Sequence, residues 1–122
     1  MDGKCVNEWF VDSYNNKKKY GKIILDNERI FYMSNDDLSI KIYSNNGKYI
    51  KSINVSSSNK FDIYGNYIYT MSNQLIECFT KEGKKIFSTK HKYKYIEDLI
   101  VIGEKLYVIT CDKVHVHKIK FF

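Results

Sequence analysis

The sequence predicts an all-β chain: three antiparallel sheets in series, each built on a four-stranded plan. Two observations predict it. A segment recurs at a fixed spacing. Ile30, Ile68 and Leu106 stand 38 residues apart, from position 30 to 68 and from 68 to 106, and Met33, Met71 and Ile109 do the same. A constant period of this size marks a repeat architecture. Each copy also breaks into short runs rich in aromatic and β-branched residues, separated by Gly/Asn turn signals. No long segment keeps the 3.6-residue period of a helix.

The clearest copy is the second. Residues 61–64 form a short apolar run, and Gly65-Asn66 is a turn signal. Runs at 67–71, 75–80 and 85–89 follow, the last after the turn Glu82-Gly83-Lys84. The first copy parses the same way, with strands at 22–25, 29–34, 39–43 and 48–55, and Asn46-Gly47-Lys48 as the matching turn. Glycine supplies the positive φ that a tight hairpin needs. The third copy gives strands at 99–102, 105–110 and 113–120, without a fourth. Its counterpart stands at the other end. Gly3-Lys4-Cys5-Val6 resembles Gly47-Lys48-Tyr49-Ile50 and Gly83-Lys84-Lys85-Ile86. One domain, 1–122, is therefore expected: a closing strand at 1–11 and sheets at 21–55, 59–90 and 98–122. Polar, lysine-rich linkers span 12–20, 56–60 and 90–97.

Runs such as Ile30-Phe31-Tyr32-Met33 and Leu106-Tyr107-Val108-Ile109 are apolar on both faces. A sheet with one wet face alternates instead, so these sheets must be stacked face to face. Aromatics make up 16% of the chain, mostly tyrosine, and suit the wedges between such sheets.

The order of apolar first strand, Gly-Asn-x-Ile-Tyr-type second strand, third strand, Asp/Asn-Gly-Lys turn and fourth strand resembles the repeat of NHL-type and related six-bladed β-propellers. The resemblance covers nearly the whole chain and implies a propeller-like fold of three blades. The signatures of WD40 and kelch repeats are absent. A repeat of this kind cannot bury both faces alone, and propellers usually close with four to eight blades. The expected solution is a homodimer that makes one six-bladed ring, in which the strand at 4–11 of one copy pairs with 114–121 of the other. Expected interface residues are Lys4, Cys5, Val6, Trp9, Val114, Val116, Ile119 and Phe121. A complex with a different half-propeller, or a longer parent propeller, are the other ways to cover the ends.

The chemistry-bearing residues point away from catalysis. There is no Ser/His/Asp arrangement, no Gly-rich phosphate loop and no metalloprotease motif. No enzyme activity, cofactor or metal is expected. His115 and His117 lie two apart on one strand and share a face, but no third ligand accompanies them. Cys78 aligns with Ile42 and Val116, which makes it a core thiol. Asp62 and Asp98, at first strands that would border a central channel, are the only candidates for a channel-mouth cation. Cys5, Cys78 and Cys111 are too scattered for a disulfide framework. With no apolar leader after Met1, a reducing, cytoplasmic setting is expected.

The net charge of +6 comes almost wholly from lysine, since Arg29 is the one arginine. Abundant Lys, Asn, Ile and Tyr, with no proline, fits the coding bias of an AT-rich genome, a large virus among the sources. The expected role is a non-enzymatic structural or protein-interaction module. The alternative is polyanion or nucleic-acid binding through Lys17, Lys18, Lys19, Lys90, Lys92 and Lys94, where lysine interleaved with Tyr93 and Tyr95 could combine charge with stacking.

Overall fold

The computed structural model describes residues 21–34, 38–55, 60–72 and 74–119. The first sheet holds β1 (Gly21–Asp26), β2 (Arg29–Ser34), β3 (Ser39–Ser44) and β4 (Tyr49–Asn54). The second holds β5 (Lys60–Tyr64), β6 (Tyr67–Met71), β7 (Leu75–Thr80) and β8 (Lys85–Lys90). The third holds β9 (Ile96–Ile102), β10 (Lys105–Thr110) and β11 (Val114–Lys118). Each sheet is an antiparallel meander in chain order. We call them blades 1, 2 and 3. Among the described residues blade 3 has three strands, and β11 is its edge.

The two largest departures from the expected strand boundaries are both in blade 3. β9 begins at Ile96, inside the expected linker, because a register shift after Ile109 lets Thr110 pair with Ile96. β11 ends at Lys118, and the next residue turns back so that the Ile119 amide donates to the Glu104 carbonyl at 2.6 Å.

The turns explain why strands stop where they do. Gly47 (φ 90°) and Gly83 (φ 103°) occupy the same place between third and fourth strands. The backbone bonds around them match as well: Ser44 N to Lys48 O and Thr80 N to Lys84 O are both 2.8 Å. Both hairpins carry an extra residue at one position, after Ile42 and after Cys78. The repeat is thus structural down to its bulges.

The blades touch through their first strands, β1 beside β5 and β5 beside β9. They splay outward from there, as blades around an axis do. Two apolar cores fill the joints. Phe31, Met33, Ile40, Ile42, Ile53 and Val55 of blade 1 and its end meet Phe61, Ile68 and Phe79 of blade 2. Tyr69, Met71, Ile76 and Cys78 of blade 2 meet Leu99, Val101, Leu106 and Val108 of blade 3, with Ile119. Blade 2 sends alternate residues into each core, which is why β6 and β7 are buried on both faces.

Candidate functional site

The pairing registers make the repeat positions comparable residue by residue. Ile30, Ile68 and Leu106 lie opposite Tyr43, Phe79 and His117. Blade 2 therefore shows what each face looks like when a neighbour covers it. Ile76 and Cys78 face blade 3 and are buried; their equivalents on blade 3, Val114 and Val116, are 61% and 54% exposed. Phe61 and Leu99 are fully buried against the preceding blade, whereas the equivalent residue on blade 1, Ile23, is 63% exposed. Leu25, equivalent to Ile63 and Val101, is 70% exposed. On blade 3 the open face continues with Ile100 and Ile102, both exposed, and with half-buried Tyr107 and Ile109. On blade 1 the exposure concentrates at β1. Further out, Tyr32 and Tyr43 are buried, and the Tyr43 ring lies edge-on to Tyr49 at 5.8 Å.

Polar ties accompany the joints. Asp62 Oδ2 accepts the Val101 amide at 2.7 Å, which fastens β5 to β9. Lys22 Nζ donates to Asp98 Oδ1 at 2.8 Å and links β1 to β9. Lys81 pairs with Asp26, and Lys51 Nζ reaches the Glu82 carbonyl at 2.9 Å, both between blades 1 and 2. Asp62 and Asp98 are therefore engaged in joint contacts. Among the described residues no group of three or more His, Cys, Asp or Glu is placed to hold a metal ion.

Glu77 is fully buried and pairs with Lys85 Nζ at 2.7 Å. Lys85 also lies 5.8 Å from the Phe79 ring centroid, a cation–π approach. Cys78 is buried as expected, and burial pushes its thiol up to about 11, an effect the Tyr69 hydroxyl partly offsets. The same burial pushes the Tyr69 phenol well above its ordinary value. Cys111 is exposed.

All three histidines of the chain converge on Tyr93. Its ring centroid lies 4.5 Å from that of His115, 5.5 Å from His117 and 5.7 Å from His91. The Tyr93 hydroxyl is hydrogen-bonded to His117 Nε2. His91 Nε2 donates to the Ser72 carbonyl at 2.6 Å, and its Nδ1 accepts the Tyr93 amide at 3.1 Å. His115 Nε2 lies 3.2 Å from Thr110 Oγ1. Beside the cluster a cavity of about 260 Å³ opens between β8 and the end of β11, walled by Tyr69, Phe87, Thr89, His117 and Ile119.

The expected site residues fall out as follows. Val114 and Val116 stand on the open face of blade 3. Ile119, expected at an interface, is instead buried between blades 2 and 3, because the chain turns inward after β11. Lys90, Lys92 and Lys94 are exposed. Of the interleaved tyrosines, Tyr95 is 80% exposed, whereas Tyr93 is half-buried with its ring against the histidines. Lys4, Cys5, Val6, Trp9, Lys17, Lys18, Lys19 and Phe121 lie outside the described residues. Sequence reasoning missed the burial of Glu77. The signal was present: Lys41, Glu77 and His115 hold one repeat position, polar in every copy. The Tyr93 cluster left no such trace, since the linker that carries it is not part of the repeat.

No family model matches this chain, and no curated protein matches it. Solved structures do. Kluyveromyces lactis Hsv2, a β-propeller, superposes with a TM-score of 0.61 and 20% identity over 78% of this chain and 31% of its own. BamB from Moraxella catarrhalis, also a β-propeller, gives a TM-score of 0.62 and 16% identity over 80% of this chain and 31% of its own. The computationally designed protein Ika4 gives 0.64 and 13% identity, over 80% of this chain and 64% of its own. The chain thus spans about a third of the length of the two natural propellers it resembles. At these identities the likeness shows the fold alone, and the fold is that of a partial β-propeller.

Proposed function

We propose that this chain is a non-catalytic interaction module: a half-propeller of the NHL-like, six-bladed kind that pairs with a second copy of itself and presents its loops to a protein partner. The observation that carries this is the match between covered and uncovered faces. Val114, Val116, Ile23 and Leu25 are as apolar as the residues buried at the same repeat positions in the two internal joints. A further blade is the surface they fit. Under two-fold symmetry the open face of blade 3 meets the open face of blade 1 of the other copy, twice, and the strand at 4–11 of each copy completes blade 3 of its partner. Exposed sheet edges and faces are liabilities that such closure removes. The lysine- and asparagine-rich coding bias extends the reading to a structural or host-interacting component of an AT-rich virus. Free Cys78 and Cys111 fit a reducing, cytoplasmic setting. Among the described residues no helix is long and apolar enough to cross a membrane.

The test places a charge on each open face. Val116→Asp and Leu25→Asp should each keep the β-sheet spectrum and reduce the particle mass from twice 14.5 kDa to 14.5 kDa. Unchanged assembly in both variants would contradict the reading. A second reading, polyanion binding, is favoured by the exposure of Lys90, Lys92 and Lys94. It predicts nucleic-acid affinity that falls steeply with salt, and that is lost when the three lysines are changed to glutamate.

A further inference from the structure

We infer that the edge of β11, with the cavity beside it, is a receiving site for one extended segment, residues 4–11 of a second copy, in a register that sets Glu8 across from His115 and Cys5 across from His117. This deepens the two-copy reading and rests on it. Three observations on the described residues define the site. β11 is the edge strand of a three-stranded blade whose two sister blades have four. The cavity of about 260 Å³ lies between blades 2 and 3, walled by Phe87 and Thr89 of β8 and by His117 and Lys118 at the end of β11. Both sister blades pair third and fourth strands in one register, with the extra residue at the same place.

The register transfers directly. Tyr43 pairs with Tyr49, two residues after Gly47, and Phe79 pairs with Lys85, two residues after Gly83. His117 holds their position on β11, so its partner is two residues after Gly3, which is Cys5. Beyond the extra residue, Lys41 pairs with Ser52 and Glu77 with Ser88. The same step puts Glu8 opposite His115. At that place the first two blades have neutral serines. Here a carboxylate would face an imidazole already held by Thr110 and Tyr93, which favours a charge-assisted contact. Trp9 falls where Ile53 stands on blade 1. Ile53 is buried in the joint with blade 2, so Trp9 would enter the joint between blade 3 and the blade 1 that follows it in its own chain. Residues 1–20 precede β1 directly, so the donated strand belongs to the copy whose blade 1 closes that joint.

The experiment uses His117→Cys in the full chain, with exposed Cys111 changed to serine. Residues opposed across an antiparallel pair lie close enough for a disulfide. Mild oxidation should convert most of the protein to a disulfide-linked dimer on a non-reducing gel. Cys5→Ser should abolish the link. Val114→Cys, on the other face and out of register, should give at least tenfold less. A non-covalent dimer by mass without the link would overturn this inference and leave the two-copy reading standing. A linked monomer would show that the segment closes its own sheet, which also overturns it. If the wild-type chain is a monomer by mass, the two-copy reading itself fails. A variant that loses its β-sheet spectrum is replaced by Glu8→Cys paired with His115→Cys, read the same way.

Discussion

The internal joints and the two end faces of this arc hold the same repeat positions in opposite environments. Ile76 and Cys78 are buried under blade 3, while Val114 and Val116, their equivalents, stand in water. Phe61 and Leu99 are buried, and Ile23 is not. The chemistry is unchanged; the neighbour differs. On the proposed two-copy reading, exposure at the ends marks the faces that a further blade would cover. Monomeric proteins rarely show large contiguous apolar patches, and those that exist mark interaction sites.

The largest effect expected from this contrast is in the joints. Phe61→Ala should lower stability by about 3–5 kcal/mol in chemical denaturation. Ile23→Ala, at the equivalent place on blade 1, should cost well under that at low protein concentration, with a deficit that grows once a second copy covers the face. Equal costs under dilute conditions would erase the distinction between joint and end.

Next is the buried charge. Lys85→Ala leaves Glu77 in an apolar joint without its lysine, and should cost about 1–3 kcal/mol. Lys41→Ala, at the place on blade 1 that Glu77 holds on blade 2, should cost less, because that position is only half-buried. Denaturant midpoints of the two variants decide the matter.

Cysteine chemistry sharpens the contrast at one position. Cys78 is held as a thiol by burial, with its value raised to about 11. A group raised in the folded state adds stability below its unfolded value and loses it as pH climbs through the folded one. Stability should therefore fall from roughly pH 8.5, the ordinary thiol range, to about pH 11, and Cys78→Val should flatten this decline. At neutral pH, iodoacetamide should label Cys111 and spare Cys78. Val116→Cys, the equivalent place on the open face, should be labelled in dilute protein and protected in concentrated protein.

The smallest effect is in the turns. Asn27 and Glu28 both have positive φ, 51° and 63°, whereas the matching turns begin with Gly65 (φ 61°) and Gly103 (φ 62°). Glu28 adopts a left-handed conformation that is strained for a side chain. Glu28→Gly should stabilise by about 1 kcal/mol. Gly65→Ala, where a new Cβ meets nothing within 4 Å, should cost a similar amount through φ alone. Thermal midpoints moving in opposite directions would confirm the pair.

What could be read from the sequence was what the repeat encodes locally. Short β-branched and aromatic runs bounded by Gly47, Gly65, Gly83 and Gly103 located the strands to within a residue or two, except β9, which starts three residues before its expected place. The alignment of Cys78 with Ile42 and Val116 placed its thiol in the core. The Tyr93 cluster was not readable, because His91 and Tyr93 come from a linker whose path depends on bonds to Ser72 and Gln74 in the preceding hairpin. Nor was the inward turn at Ile119, which depends on one amide reaching Glu104. Glu77 was readable only by comparing polar positions across all three copies, since one buried carboxylate in a single strand looks like the wet face of a sheet.

The central claim is that the apolar ends of this arc are covered by a second copy. Sedimentation equilibrium across micromolar concentrations tests it most directly. The account predicts a particle of twice 14.5 kDa that dissociates on dilution. A stable species of 14.5 kDa at every concentration, with its sheets intact, would contradict it.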